Sequence, residues 1–164
     1  MEDEYAVEFL LDVARRTVEA AGTASLVTMD ETGAPSSRSI AAFAPDDDFA
    51  RFVIGSNLES RKVDHIERDP RVLLTYLDSA NRGYLTVVAK AHIEQDSEER
   101  HSYWVDRFSA FFPGGPDSGE YQLMIVVPER LELRSFGLKV PDTPTRWSPV
   151  MLERGGGVAW TQTN

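Results

Sequence analysis

The segment Phe52–Lys62 has residue types and spacing suited to binding an anion. A short apolar stretch leads into glycine and small polar residues, and the predicted helix that follows opens with Arg61 and Lys62. A helix N-terminus carries partial positive charge, so two cations are unfavourable there unless an anion offsets them. Backbone N–H groups, the hydroxyls of Ser56 and Ser60 and the two cations would then converge on one phosphate. The alternative interpretation is a pair of solvated surface cations with almost no energetic consequence.

The composition limits the classes of function. The chain has 164 residues, which suits a single domain, 1–164, with a real core, and its 41% hydrophobic and 27% charged residues are ordinary for a globular protein. A net charge of −10 argues against nucleic-acid and anionic-membrane partners, since both attract clustered cations. The chain contains no cysteine, which excludes disulfides and zinc–thiolate sites and fits a cytoplasmic protein. No apolar run approaches the roughly 18 residues that span a bilayer, and the acidic first residues do not resemble a signal peptide.

Other candidate sites have little support in the sequence. His65, His92 and His101 lack the spacing of metal ligands. The acidic run 46–48 lacks the glycine and the closing glutamate of a calcium loop, and no Ser–His–Asp arrangement is indicated. We therefore predict no metal site and no set of catalytic side chains.

Hydrophobic periodicity predicts three helices and about six strands, joined mostly by hairpins. The expected helices cover 5–20, 60–69 and 96–108, and the expected strands cover 24–29, 35–43, 49–54, 71–77, 83–94 and 121–134. The absence of regular strand–helix alternation favours an antiparallel closed or split barrel with helices at its ends. Residues 137–164 have a weak pattern and are expected to form an irregular tail beyond a core of about 7–136.

The order of the motifs resembles the FMN-binding split-barrel family, which includes pyridoxamine 5′-phosphate oxidase and the general stress protein 26 group. The motifs are Arg38-Ser-Ile40 on a strand, Gly55-Ser-Asn57 after the next strand and Ser60-Arg-Lys62 on a helix. The stretches 24–35, 60–72 and 112–117 extend the match to the stress-protein group. The resemblance implies a mainly β fold with some α, a six-stranded antiparallel split β-barrel with flanking helices, and a homodimer with FMN at its interface.

The resemblance also assigns eight residues to FMN. Arg61 and Lys62 would clamp the phosphate with Ser60 as a helper, and Arg38 would reach the phosphate or the ribityl chain. Ser39 and Ile40 would lie along the isoalloxazine ring through their backbones. Ser56 and Asn57 would follow the ring edge and the ribityl hydroxyls.

Two departures from the oxidase argue against vitamin B6 oxidation. Phe43 stands where the oxidase carries a lysine that helps to hold the phosphate of the vitamin. The tail has no Arg-x-His pattern, and its nearest counterpart is Arg146-Trp147. Trp147 has two interpretations, as a cofactor-binding residue that stacks on a flavin edge or as a side chain packed in the barrel, which is the more common fate of tryptophan.

Three functions are compatible with these features. The first is an FMN-dependent oxidoreductase that acts on a small molecule, with NAD(P)H or another reduced cofactor as electron donor, because the flavin supplies the difficult chemistry. The second is a non-catalytic FMN-binding stress or flavin-buffer protein. The third is the same barrel without flavin, used for dimer-based interaction or for another planar ligand.

Overall fold

The computed structural model describes residues 4–155 and 159–163. The helices are α1 (Val7–Ala21), α2 (Arg61–Arg68) and α3 (Ser97–Ser102), and a 3-10 turn covers Asp106–Ala110. The strands are β1 (Ala24–Met29), β2 (Pro35–Ile40), β3 (Phe52–Asn57), β4 (Arg71–Asp78), β5 (Gly83–Glu94), β6 (Tyr121–Ser135), β7 (Val150–Arg154) and β8 (Trp160–Thr163). Among the described residues, no helix is long and apolar enough to cross a membrane.

The strands form one antiparallel sheet that curls towards closure. Its order is β2-β1-β4-β5-β6-β7-β8, and β3 pairs with the first half of β6. After β2 the chain runs beside β3, where Phe43 N donates a hydrogen bond to Val53 O (2.8 Å). This contact brings the two ends of the six-stranded part together, so the expected antiparallel split barrel with flanking helices is confirmed. The described residues form eight strands, two more than the predicted six.

Alternation along the strands places one apolar face inside the barrel. In β5, Leu85, Val87, Ala89 and Ala91 are buried, as predicted from the sequence. Opposite Ala89, Pro128 of β6 coincides with a shift in strand register, since proline cannot donate a ladder hydrogen bond. We call the opposite side of the sheet, which carries the alternate residues, the outer face.

Helix α1 covers one end of the inner face. Its buried residues recur at helical spacing and include Leu10, Val13 and Ala14, and the helix packs mainly on β4. Gly22 ends the helix with φ of 69°, a conformation that glycine adopts without steric cost. The predicted helix and its glycine stop are therefore confirmed.

A second apolar cluster lies outside the barrel, on β3 and the first half of β6. Helix α3 precedes this cluster, and the side chain of Asp96 caps it by accepting a hydrogen bond from Glu99 N (2.9 Å). The expected helix 96–108 is wrong beyond Ser102, because the chain turns there to lay aromatic side chains on the sheet. The cluster consists of Val53, Phe112, Tyr121, Leu123 and Ile125, with Phe43, Tyr103, Trp104 and Phe108 packed against it.

The third strand begins three residues later than predicted. The side chains of Asp46 and Asp48 accept hydrogen bonds from Ala50 N (2.8 and 3.1 Å), and this turn holds Phe49 at φ of 52°. The apolar residue Phe49 is fully buried, but it belongs to the turn and β3 starts at Phe52.

The expectation of an irregular tail after residue 136 is also wrong in part. Strand β7 pairs with the second half of β6, and β8 pairs with β7. Trp160 of β8 is buried, and its Nε1 donates to Asp48 O (2.7 Å) in the turn before β3. Between these two strands, residues 156–158 fall outside the described ranges.

Candidate anion-binding site

Arg38 lies on β2, an edge strand, on the same face as the buried Leu26 of β1. Its guanidinium is held by neighbouring groups. One terminal nitrogen donates to Leu26 O (3.2 Å) and Thr28 Oγ1 (2.7 Å), and the other donates to Ser36 Oγ (3.1 Å). These hydrogen bonds fix the position of the cation while leaving its charge unneutralised.

A buried hydrogen bond extends this arrangement to helix α2. Thr28 Oγ1, which accepts from Arg38, lies 2.8 Å from His65 Nδ1, and both Thr28 and His65 are buried. The hydroxyl of Thr28 can donate to the imidazole while it accepts from the guanidinium, so each polar group has a partner. Packing of α2 on β1 therefore sets the orientation of Arg38 through Thr28.

The N-terminus of α2 supplies the remaining predicted groups. Ser60 precedes the helix but does not cap it, since its hydroxyl donates to Asn57 O (2.7 Å). The same hydroxyl accepts from Lys62 Nζ (2.9 Å) and lies 3.4 Å from Ser56 Oγ. The first turn of α2 thus keeps uncapped N–H groups beside two hydroxyls and a half-buried ammonium.

Arg38 and Lys62 are partly withdrawn from water, and each lies near another cation. Burial, and to a lesser extent the charge of Arg61, lowers the pKa of Arg38. Burial, and then the charge of Arg38, lowers the pKa of Lys62. Both shifts have the sign expected for a cation withdrawn from water beside another cation.

The three cations also lack acidic partners. In residues 4–155 and 159–163, no salt bridge links Arg38, Arg61 or Lys62 to a carboxylate. The full chain carries 27 acidic and 17 basic residues, so carboxylates are in excess and their absence here is notable. We call Arg38, Arg61 and Lys62 the cation cluster. Its chemistry suits a phosphate dianion.

The other predicted residues have more varied positions. Ser39 is exposed on the edge strand, whereas Ile40 points into the core with 8% exposure and can face a ligand only through its backbone. Ser56 is buried beside Ser60, and Asn57 uses Oδ1 to accept from Glu59 N (2.8 Å), which braces the turn before α2.

Trp147 is not brought to the cation cluster. Its side chain is 83% exposed, which excludes packing inside the barrel within this chain. The indole lies instead beside Arg134 near the end of β6, with the guanidinium carbon 5.5 Å from the ring centroid.

Three residues of the site were missed by the sequence reasoning: Thr28, Ser36 and His65. Alternation places Ser36 on the same face as Arg38, and the predicted hairpin pairs it with Thr28, so two of the three were accessible from the sequence. His65 needs the packing of α2 against β1, which no local pattern specifies. In the part of the chain that the structure covers, no group of three or more acidic or histidine side chains is arranged for a metal ion.

The outer face of the sheet carries apolar side chains that are only partly covered. A cavity of about 310 Å³ opens beside β2 and is lined in part by Ser37, Ser39, Thr75 and Leu77. The Leu77 side chain is 65% exposed. A second cavity of about 200 Å³ is lined by Val27, Met29, Arg71, Val72 and Leu73. Partly covered apolar surface of this kind is typical of an interface.

Comparison with known structures shows the same architecture in other proteins. A protein related to general stress protein 26 from Clostridium acetobutylicum superposes with a TM-score of 0.70 at 20% identity, covering 80% of this chain and 92% of that one. An FMN-binding protein related to pyridoxamine 5′-phosphate oxidase from Nostoc punctiforme gives 0.65 at 13% identity, covering 99% and 100%. PhzG from Burkholderia lata, in complex with tetrahydrophenazine-1-carboxylic acid, gives 0.70 at 17% identity, covering 98% and 96%.

Sequence comparison identifies the family. No curated protein matches this chain in a sequence search. The family model described as pyridoxamine 5′-phosphate oxidase matches residues 10–135, which is most of the chain and includes the cation cluster. The chain therefore belongs to the pyridoxamine 5′-phosphate oxidase family.

Proposed function

We propose that this protein is an FMN-binding flavoprotein and that it acts as a flavin-dependent oxidoreductase on a small molecule. The observation that carries the proposal is the cation cluster, in which Arg38 and Lys62 are partly buried beside uncapped N–H groups and lack a carboxylate partner. A partly buried cation without an acidic partner is costly, and a bound phosphate would offset that cost. The family and an FMN-binding structural neighbour support the choice of FMN among phosphate-bearing ligands.

The residues present fit this cofactor from the phosphate outward. Lys62, Arg61 and Arg38 would pair with the phosphate, and Ser60 would donate from the start of α2. Strand β2 lies at the sheet edge, so its outward backbone groups are available to a planar ring near Ser39. Bound FMN would supply electron transfer, which no side chain of this site provides by itself. The chain would bind and orient the cofactor, and the reduced electron donor would be NAD(P)H or another small molecule.

The second candidate is a flavin-binding protein with little turnover. His65 lies on the same helix as Lys62 and is a natural candidate for proton transfer, but it is 4% exposed and hydrogen-bonded to Thr28. That burial favours a structural role for the imidazole and a site that binds flavin without assisting a substrate. The two candidates share the cation cluster and differ in the rate of flavin reduction.

We further propose that the protein forms a homodimer through the outer face of the sheet, with FMN at the interface. We also propose that the protein is cytoplasmic. The larger outer cavity adjoins the strand that carries Arg38, and Leu77, which lines this cavity, is 65% exposed. A Leu77→Asp variant would then convert dimer to monomer in light scattering after gel filtration. Phe9→Asp is the control, since Phe9 is exposed by 42% on α1 and lies outside the proposed flavin site. A wild-type protein that is monomeric would refute the dimer.

The test of the flavin proposal is an absorbance spectrum of the protein mixed with FMN, desalted, and then treated with NADPH or NADH without oxygen. We expect flavin bands to remain after desalting and to bleach with one of the nucleotides. Retained flavin that neither nucleotide reduces within hours would favour the binding protein. Loss of all flavin on desalting, together with no measurable affinity in a titration, would refute both candidates.

A further inference from the structure

The guanidinium of Arg38 is held at the cation cluster by a chain of hydrogen bonds that ends at a buried imidazole. Its Nη1 donates to Thr28 Oγ1 (2.7 Å), and Thr28 Oγ1 lies 2.8 Å from His65 Nδ1. Thr28 is fully buried and His65 is 4% exposed. We call Arg38, Thr28 and His65 the relay. Burial makes an unpaired polar group costly, so the hydroxyl hydrogen of Thr28 requires an acceptor.

The relay can satisfy its polar groups in one direction. A guanidinium donates hydrogen bonds and cannot accept them, so the oxygen of Thr28 accepts from Arg38. Among the described residues, Thr28 Oγ1 has hydrogen-bonding contacts with Arg38 and His65 and with no other group. The hydroxyl of Thr28 therefore donates to His65 Nδ1, and the neutral imidazole carries its hydrogen on Nε2.

The same hydrogen bonds determine which N–H groups of Arg38 remain for a ligand. A guanidinium has five N–H groups. Nη1 uses two of them on Leu26 O (3.2 Å) and Thr28 Oγ1, and Nη2 uses one on Ser36 Oγ (3.1 Å). The N–H of Nε and one N–H of Nη2 have no hydrogen bond within the described part of the chain. Two such donors in one rigid plane suit two oxygens of a phosphate group.

We propose that Thr28 and His65 are positioning residues that act through Arg38 on the phosphate of the cofactor. The inference rests on the proposed function, because it takes the bound anion to be the phosphate of FMN. His65 orients the hydroxyl of Thr28, and this hydroxyl presents its oxygen to Arg38. The guanidinium is thereby fixed before the ligand arrives, which lowers the entropic cost of binding.

A purely structural role for the relay makes a different prediction. The bond between Thr28 and His65 joins β1 to α2, whose N-terminus carries Lys62. If the bond served only to hold α2 in place, its loss would weaken FMN whether or not Arg38 is present. If Thr28 acts through Arg38, its loss should have no effect once the guanidinium has been removed.

The first test is a double-mutant cycle measured by fluorescence titration with FMN. We expect Thr28→Val to weaken FMN by about three- to tenfold and to cause no further loss in an Arg38→Met background. Thr28→Ser keeps the hydroxyl and should retain the wild-type affinity. Thr17→Val is the matched control, because Thr17 is also fully buried but donates to Val13 O (2.9 Å) within α1. The control should bind FMN as the wild type does.

The second test leaves the relay intact. Nitrogen NMR at pH 8 reports which ring nitrogen of each histidine carries the hydrogen. The signals of His65 are assigned by elimination with His92→Gln and His101→Gln, since both of these residues are exposed. We expect His65 Nδ1 to be unprotonated and Nε2 to be protonated.

The outcomes separate the inference from the proposed function. A wild type that binds no FMN would refute both. If the wild type binds FMN, equal affinity of a folded Thr28→Val variant would refute the inference alone. A loss of affinity that persists in the Arg38→Met background would also refute it, because Thr28 would then act through the placement of α2. If Thr28→Val does not fold, the NMR result decides, and a hydrogen on His65 Nδ1 would overturn the inference.

Discussion

The substitution Lys62→Met gives the sharpest test of the cation cluster, because it should move cofactor affinity and stability in opposite directions. Methionine keeps most of the apolar stem of the side chain and removes the ammonium group, with its charge and its hydrogen bond. In the protein without ligand, Lys62 Nζ donates to Ser60 Oγ (2.9 Å) and lies close to Arg38, whose charge helps to lower the pKa of Lys62. Removal of this ammonium should therefore raise the melting temperature.

The pH dependence of the stability gained in Lys62→Met follows from the sign of the pKa shift of Lys62. The pKa of Lys62 in the folded protein is lower than its ordinary value of 10.5, so the unfolded chain binds the proton more tightly. Stability of the wild type thus rises with pH from the folded pKa up to about 10.5, as the ammonium loses its proton in the fold. The advantage of Lys62→Met should be full at pH 7 and should shrink in that alkaline window.

The same substitution should weaken the binding of FMN. A charge-assisted hydrogen bond to phosphate contributes about 1.5–3 kcal/mol, so FMN affinity should fall by about ten- to a hundredfold. The assay is a fluorescence titration of FMN, with Lys90→Met as control, because Lys90 is exposed and paired with Glu129 (2.9 Å). Unchanged affinity of a folded Lys62→Met variant would refute the assignment of phosphate to this cluster.

Three further substitutions test other parts of the argument. Arg61→Ala should weaken the binding of FMN by about two- to fivefold in the same titration. The effect should vanish at high salt, because the guanidinium of Arg61 is exposed. Gly55→Ala places a methyl 3.0 Å from the ring of Phe108 and should cost about 1–3 kcal/mol in chemical denaturation, whereas Gly119→Ala meets nothing within 4 Å and should be neutral. A neighbouring arginine lowers the pKa of Asp69 to about 2, so Asp69→Asn should slightly lower the melting temperature at pH 7, and the difference should disappear as the pH falls from 3.8 to about 2.

Much of the barrel and of the site was predictable because the signals were local. The alternation of β5 gave its inner face residue by residue, and the bounds Gly83–Glu94 agree with the prediction. The unfavourable placement of Arg61-Lys62 at a helix N-terminus indicated an anion from local electrostatics alone. A misfit between a residue and its local electrostatic environment is informative because it requires a compensating partner.

The parts that were wrong depend on tertiary contacts. Strands β7 and β8 are only five and four residues long, and their pattern is weak because pairing with β6, and not their own periodicity, holds them in place. Trp104 and Phe108 have helical spacing in the sequence. In the structure the helix ends before them, because the lack of a side chain at Gly55 lets Phe108 pack closely on β3.

Among the cations without an acidic partner, those withdrawn from water are the ones that lower the stability of the protein. Exposed arginines such as Arg61 and Arg82 can remain unpaired at almost no cost, because water and salt screen their charge. Arg38, Lys62 and Arg134 lose that screening, and none of the three is joined to a carboxylate in residues 4–155 and 159–163. Many other cations of this acidic chain pair with Asp or Glu, so a missing carboxylate beside a buried cation reflects selection for something other than stability. It follows that removal of the charge of Lys62 should stabilise the protein without ligand, whereas the same change at the exposed Arg61 should have a smaller effect on the melting temperature.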